Sequence, residues 1–503
     1  MHSRIAAPLL AAALAVAPRA AAAAAEPDFA ALGRLVVQTK RATDLPSGTA
    51  VAVVRDGRIV YEGYFGLSDI AKRIPVTRNT AFYIASATKP FFALSVLLDE
   101  DARRLDTRTS LQQMFPQTRF DGFDAASVTL KDLLVHTSGI DNQPLVWATA
   151  YSGIHDAESR RALVAASYPN AKAKHGTFDY TNVGYAIASV WLDRTVGTPW
   201  QRQLDATIFR PLAMTHTTAS IRTARAAGWS IAKPYSFASE TPRNPLYLVK
   251  ADETLHAAGG LVSTAPDLAR FLIAQLSDGA IDGRQLLPAT VIARSHETQA
   301  TLEEKYQDFA RSGYAWGWYT GIYKGRTLLH HFGGFAGFHA HLSFMPEANA
   351  GLVVLSNDDV LGAQTANLIA DHVYGVLLEQ PDTQTTSSRR FAEMQAKAAT
   401  FRASAGKRRA EIRARTWNLS LPRERYAGRY AHPQLGTMTV ELERDGAMVI
   451  RWGRLAAIAT AYEDKDHVRV EFAPNSGEVL AFAVNGESVE AIAFDRMVFA
   501  KRR

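Results

Sequence analysis

Apolar positions first become regular near residue 50. Ala50-Val51-Ala52-Val53-Val54 and Ile59-Val60-Tyr61 flank Arg55-Asp56-Gly57-Arg58. An Asp-Gly pair between two β-prone runs predicts a hairpin, because the tight turn needs two residues with positive φ. Further along, the spacing turns helical. Residues 92–98 form an apolar helical run, 128–134 a short helix and 182–192 another apolar helix. Residues 266–276 read as an amphipathic helix with Asp267 and Arg270 on its outer face. The period then returns to two. Phe338-His339-Ala340-His341-Leu342-Ser343-Phe344 alternates, 346–350 is turn-like, Gly351-Leu352-Val353-Val354-Leu355 is a buried strand and 364–378 a closing helix. Strands, a long helical middle, strands and a helix predict an α/β (α+β) unit. Its antiparallel sheet draws strands from both ends and is flanked by helices and an all-helical subdomain.

Beyond it the pattern changes twice. Residues 381–388 are rich in Pro, Thr, Ser and Gln and read as a linker. Residues 389–415 are basic and Ala-rich, a helix with a solvated charged face rather than a nucleic-acid surface. From Tyr426 onward, short β-prone runs meet at Asp445-Gly446 and Asn485-Gly486, which predicts a small antiparallel barrel or sandwich. The division is 1–25, 26–380, 381–425 and 426–503.

Composition narrows the function. The 503 residues contain no cysteine, which excludes disulfides, a thiol nucleophile, thiolate metal sites and a lipid-modified cysteine anchor. The net charge of +7 is mild and fits an exported basic protein with no nucleic-acid partner. Residues 1–25 have a short polar start, an Ala-rich apolar run and small residues at Ala23-Ala24-Ala25. They read as a signal peptide cleaved before Glu26, hence a periplasmic or secreted bacterial protein. No later run has the apolar length of a membrane helix, so no stable membrane insertion is expected.

Three short stretches carry chemistry. In Ser86-Ala87-Thr88-Lys89, Ser and Lys three apart share one helix face, and a helix starting near Ser86 favours a developing oxyanion there. Lys89 then lowers the cost of removing the Ser86 proton, or takes it when neutral. In Tyr180-Thr181-Asn182, a phenol beside a cation holds a depressed pKa and shuttles a proton, while Asn182 hydrogen-bonds a substrate amide. His331-Phe332-Gly333-Gly334 opens a strand whose glycines admit a substrate backbone and expose an N–H for an oxyanion hole. Taken singly, each also reads as a helix cap, a core tyrosine or a turn.

Taken in order, the three resemble the penicillin-recognising serine hydrolases, in the branch of class C β-lactamases, DD-peptidases and family S12 peptidases. Val128 to Gly139 with its His136-Thr137-Ser138-Gly139, Ala258 to Ala265, Trp316-Gly317-Trp318 and His331 to Phe338 extend the match over about residues 30–380. The tail from Tyr426 resembles the lipocalin-like barrel appended to some members. The resemblance implies an acyl-enzyme on Ser86 and a proton relay through Lys89 and Tyr180. It also implies acyl-group positioning by Asn182 and an oxyanion hole at the Ser86 and Gly334 N–H groups, with Gly333 beside it. His331 stands where true class C β-lactamases carry Lys. It holds a substrate carboxylate less firmly at neutral pH, which demotes β-lactam hydrolysis. The expected activity is cleavage of peptide or amide bonds next to D-residues on a peptide or small-molecule substrate. Esterase and β-lactamase activity follow, and a non-catalytic cell-wall-peptide receptor is the competing class. No cofactor is expected. His330, His331, His339 and His341 lack the carboxylate that would complete a metal site, so none is expected there.

Overall fold

Positive φ at Asp56 (51°) and Gly57 (74°) makes the expected tight turn between strands β1 (Thr49–Arg55) and β2 (Arg58–Phe65). The computed structural model describes residues 28–502, so the expected leader lies outside the described residues. The other edge of β1 pairs antiparallel with a strand from far along the chain. The later strands are β3 (Ala300–Tyr306), β4 (Phe309–Tyr314), β5 (Tyr319–Tyr323), β6 (Arg326–Phe335), β7 (Phe338–Met345) and β8 (Ala350–Ser356). They build one eight-stranded antiparallel sheet in the order β3-β4-β5-β6-β7-β8-β1-β2.

Both sheet faces are covered. Ala50, Ala52, Leu342 and Leu355 pack toward the helical middle of the chain, including the helix Ala265–Leu276. Val51, Val53, Leu352 and Val354 pack under helix Ala30–Thr43 and helix Val360–Leu377. The alternation in β7 is therefore between two cores, and all its residues are buried. The helical middle holds the 3₁₀ turn Ala85–Thr88, the helices Lys89–Asp101, Leu130–Leu134 and Val183–Thr195, and the π-helical turn Ala148–Ser152. A Cβ at Gly184 would strike the Leu133 carbonyl, so the last two helices cross at backbone contact.

Two expectations are corrected. Asp267 does not face out. It is buried and accepts from the His216 N–H (2.7 Å) and the Thr217 hydroxyl (2.9 Å), while Arg270 Nε reaches the Leu212 carbonyl (2.6 Å). A carboxylate given donors by a neighbouring loop tolerates burial, which helical spacing alone does not reveal. Residues 381–388 are not an irregular linker either. The helix Thr383–Arg413 runs through most of them and on through the basic segment. Tertiary contacts override composition there: Ser387 meets His372 Nδ1 (3.0 Å), Met394 and Phe391 pack against Leu35 and Leu368, and Arg390 pairs with Asp308 and Asp371. Further along the same helix Arg402, Arg409 and Arg413 bind the Thr43 carbonyl, the Ala238 carbonyl and Glu240.

The tail forms a nine-stranded, nearly closed antiparallel barrel from Gly428–His432 to Met497–Arg502. Its interior is filled by Tyr430, Met438, Ile450, Trp452, Phe472 and Phe499. Trp147 of the hydrolase-like domain leans against it, with ring centroids 4.9 Å from Phe494 and 6.0 Å from Trp452. The Arg454 N–H donates to the Ser152 carbonyl (3.0 Å), and the Tyr247 hydroxyl donates to the Phe472 carbonyl.

Candidate active site

Ser86 sits on the 3₁₀ turn that leads into helix Lys89–Asp101, close to the expected helix start. The turn is held at its strained point. Ala85 carries φ 46°, a left-handed conformation that a residue with a Cβ adopts at a cost of about 1–2 kcal/mol. The Ile84 N–H donates to the Leu261 carbonyl (3.0 Å), and the Leu261 N–H donates to Thr88 Oγ1 (3.1 Å). The Leu261 backbone thus clamps both sides of the turn that carries Ser86. A Cβ at Gly333 would strike the Ile84 carbonyl, so strand β6 passes directly over the turn. Gly334, one residue on, is exposed with open space where its Cβ would be, which makes its backbone the accessible edge of the cleft.

Lys89 is fully buried, and its Nζ reaches three oxygens: Asn182 Oδ1 at 2.8 Å, the Ala258 carbonyl at 2.9 Å and Ser86 Oγ at 3.2 Å. It also lies 4.7 Å from the centre of the Tyr180 ring and 5.4 Å from that of Tyr185. Among the described residues no carboxylate pairs with it, and burial holds its pKa well below the usual lysine value. As a free amine, Lys89 keeps two N–H bonds to Asn182 and Ala258 and turns its lone pair to the Ser86 hydroxyl. The expectation of a depressed Tyr180 pKa is corrected. Burial raises it, against the weaker opposing effects of a Ser86 hydrogen bond and the Arg311 charge, so Tyr180 is a neutral phenol at rest. Of the two, Lys89 has the environment of a base and Tyr180 that of a hydrogen-bond donor.

His331 is also buried. Its Nδ1 meets the Phe332 carbonyl at 2.9 Å, and its Nε2 has no partner. Burial holds its pKa well below the usual histidine range. A neutral ring whose free nitrogen is an acceptor is no partner for a substrate carboxylate, so that expected role is absent from the resting site. His339 and His341 lie in the core on the far side of the strand, where His341 Nε2 meets Ser343 Oγ (2.7 Å) and Ser343 meets the Tyr374 hydroxyl (2.8 Å). Among the described residues, no group of three or more His, Cys, Asp or Glu stands close enough to hold a metal.

Sequence reasoning gave no role to several residues of the site. His136, with φ 63°, accepts the Thr181 N–H at Nδ1 (3.3 Å) and meets the Tyr314 hydroxyl at Nε2 (3.2 Å). Its carbonyl takes the Asp179 N–H (2.9 Å). It fixes the backbone on either side of Tyr180 and was visible only as part of the matched His-Thr-Ser-Gly stretch. The carbonyl of Ala258 could not be foreseen, because a main-chain acceptor leaves no mark on residue type. A separate groove of about 850 Å³, lined by Arg202, Arg210, Arg222, Asp205, Asp252 and Glu253 among others, contains none of the Ser86 cluster.

Comparison with known proteins bears on the family and the fold. A family model described as Beta-lactamase matches residues 36–374. The unguisins hydrolase ungD of Aspergillus violaceofuscus is 27% identical over 334 residues, covering 62% of this chain and 58% of that protein. Protein flp of Staphylococcus aureus (strain COL) is 22% identical over 351 residues, covering 69% and 64%. The chain thus spans about three fifths of the length of these curated relatives. The octameric penicillin-binding protein homologue from Pyrococcus abyssi superposes with a TM-score of 0.59 at 20% identity, covering 93% of this chain and all of that one. SurE gives 0.54 at 19% identity, covering 94% and 98%. A class C β-lactamase from Rhodobacter sphaeroides gives 0.55 at 20% identity, covering 69% and 98%. The fold is shared with all three structures, and by the match over two thirds of its length the chain belongs to the beta-lactamase family.

Proposed function

We propose that the protein is an exported serine acyl hydrolase that cleaves peptide or amide bonds next to D-amino acids through an acyl-enzyme on Ser86. The observation that carries this reading is the Lys89 amine, drawn to a low pKa and held 3.2 Å from Ser86 Oγ with its remaining hydrogens anchored. Ser86 Oγ bonds to the substrate carbonyl carbon while its proton passes to Lys89 Nζ. The carbonyl oxygen becomes an oxyanion facing the N–H groups of Ser86 and Gly334. The bond to the leaving group breaks as the leaving nitrogen or oxygen takes a proton, which Lys89 returns by way of the Tyr180 phenol. Water then adds to the acyl carbon, gives its proton to the same relay and releases the acid and Ser86. Asn182, bonded to Lys89, keeps its amide N–H₂ for the acyl chain. Support for D-residue substrates comes from the fold shared with SurE, one of whose structures holds D-Leu, and from the neutral His331, which favours neutral substrates over β-lactam carboxylates. Esterase activity remains the second reading, because the same attack needs no amide.

The test is intact mass spectrometry of the protein and of Ser86→Ala with a p-nitrophenyl ester, a β-lactam and a D-aminoacyl amide. An adduct that forms on the unmodified protein, clears with time and is missing from Ser86→Ala supports a hydrolase, and the substrate with the highest kcat/KM names the class. A permanent adduct with every reagent identifies a receptor instead. No adduct at Ser86 with any reagent overturns the proposal.

A further inference from the structure

A second lysine is buried near the cleft, and nothing in the acylation scheme uses it. Lys250 is 8% exposed. Its Nζ donates to the Ala150 carbonyl (2.6 Å) and the Thr254 carbonyl (3.3 Å), and lies 3.9 Å from the centre of the Phe335 ring. Tyr83 and Tyr151 stand at 5.4 and 5.5 Å. Its partners are carbonyls and ring faces rather than a carboxylate. Burial pulls its pKa down to about 7, so the ammonium is held there at a cost that an apolar side chain of the same length would not incur.

Two of these contacts lead toward the Ser86 site and the third to the turn that meets the barrel. Phe335 follows Gly334, the open backbone position at the edge of β6. Thr254 lies four residues before Ala258, whose carbonyl holds Lys89, and the Tyr83 hydroxyl donates to the Gly259 carbonyl beside it. Ala150 belongs to the turn Ala148–Ser152, whose Ser152 carbonyl receives the barrel's Arg454 N–H. The Tyr83 and Tyr151 rings also lean on Phe335, but Lys250 Nζ is the one atom that hydrogen-bonds both the Ala150 and Thr254 carbonyls while facing that ring.

We infer that Lys250 is a positioning residue for acylation: one buried cation pins the end of β6, the loop that holds Lys89 and the barrel-contacting turn in a single arrangement. It touches neither substrate nor Ser86 and acts through Phe335 and Ala258. The inference rests on the reading of Ser86 as the acylated serine.

The experiment follows labelling of the full chain by a fluorophosphonate, with intact mass spectrometry giving both the rate and the final labelled fraction. In Lys250→Met the labelled fraction reaches that of the unmodified protein. The rate constant at saturating probe falls about 10–100-fold, as expected for a misplacement near 1 Å. The half-saturating concentration moves by less than about threefold, because binding is not what Lys250 governs. Phe335→Leu, which removes the ring face and leaves the lysine, lowers the rate by about 3–10-fold and keeps the test open if Lys250→Met does not fold. Unchanged rates in both variants overturn the inference. So does a loss that appears only as an unlabelled fraction, because that is the mark of a purely structural role. An unmodified protein that takes no label at Ser86 overturns the proposed function itself, and is told apart from the other outcomes by occurring before any substitution.

Discussion

The barrel interior and the floor of the cleft are both buried, yet they are filled in opposite ways. Inside the barrel stand Trp452, Phe472, Phe494, Phe499 and Tyr430, rings that meet edge to face, with Tyr430 hydrogen-bonded to the Tyr426 carbonyl (2.6 Å). Under the cleft stand Lys89, Lys250, His136 and His331, each taken out of water with its pKa drawn below the ordinary value. Its backbone is also strained at Ala85 and His136. Stability resides in the first kind of interior. In the second, stability is given up where groups must stay reactive.

Four substitutions or titrations test that contrast, taken in order of expected effect. Lys89→Met should lower the acylation rate about 10³–10⁴-fold, the upper range for losing a general base, while the melting temperature stays level or rises because an uncompensated buried amine is gone. A large fall in melting temperature would move Lys89 to the structural side of the contrast. Trp452→Ala should do the reverse in kind, costing about 3–5 kcal/mol in denaturant unfolding with acylation per folded molecule within about tenfold. A greater loss of rate would mean that the barrel shapes the cleft through Trp147. Third comes the pH dependence of stability. Lys250 has a pKa of about 7 folded and the ordinary lysine value of 10.5 unfolded. Between those values the unfolded chain binds the extra proton, so stability rises with pH across that window. Chemical denaturation at a series of pH values should show the rise in the unmodified protein and in Trp452→Ala, and a smaller rise in Lys250→Met. The smallest effect is that of Ala85→Gly, which relieves the left-handed strain by about 1 kcal/mol. The same change should slow acylation by a few fold by loosening the turn under Ser86. Faster acylation would show that the strain hinders the site.

What was legible in the sequence followed from local rules. The Asp56-Gly57 turn, the helices after Ser86 and Asn182, and the short strands of the tail announce themselves through turn residues and period, and they stand where expected. The Ser86, Lys89 and Asn182 cluster was legible because three separated motifs had to meet for any one of them to make sense. What stayed hidden depended on partners distant in the chain. Asp267 reads as a surface carboxylate until the loop at His216 supplies its donors. Residues 381–388 read as a linker until Arg390 finds Asp308 and Asp371. Lys250 sits in no motif, and its role comes from two carbonyls and a ring brought together by three separate segments. The Tyr180 pKa was expected to fall because a cation was near, and it rises because burial of the phenol outweighs the charge.

The helix Thr383–Arg413 has one more consequence. Its 31 residues form a rod of about 46 Å at 1.5 Å per residue. It is fastened along its length through Ser387, Arg390, Arg402 and Arg409. Such a rod keeps phase as well as distance. One residue added between Arg390 and Arg402 would turn the rest of the helix by about 100°, taking Arg402 and Arg409 off the Thr43 and Ala238 carbonyls. Seven added residues would nearly restore the angle but carry the end of the helix about 10 Å outward. Within this helix, insertions and deletions are therefore filtered by rotation before they are filtered by length, whereas the irregular stretch 414–422 that follows can absorb them.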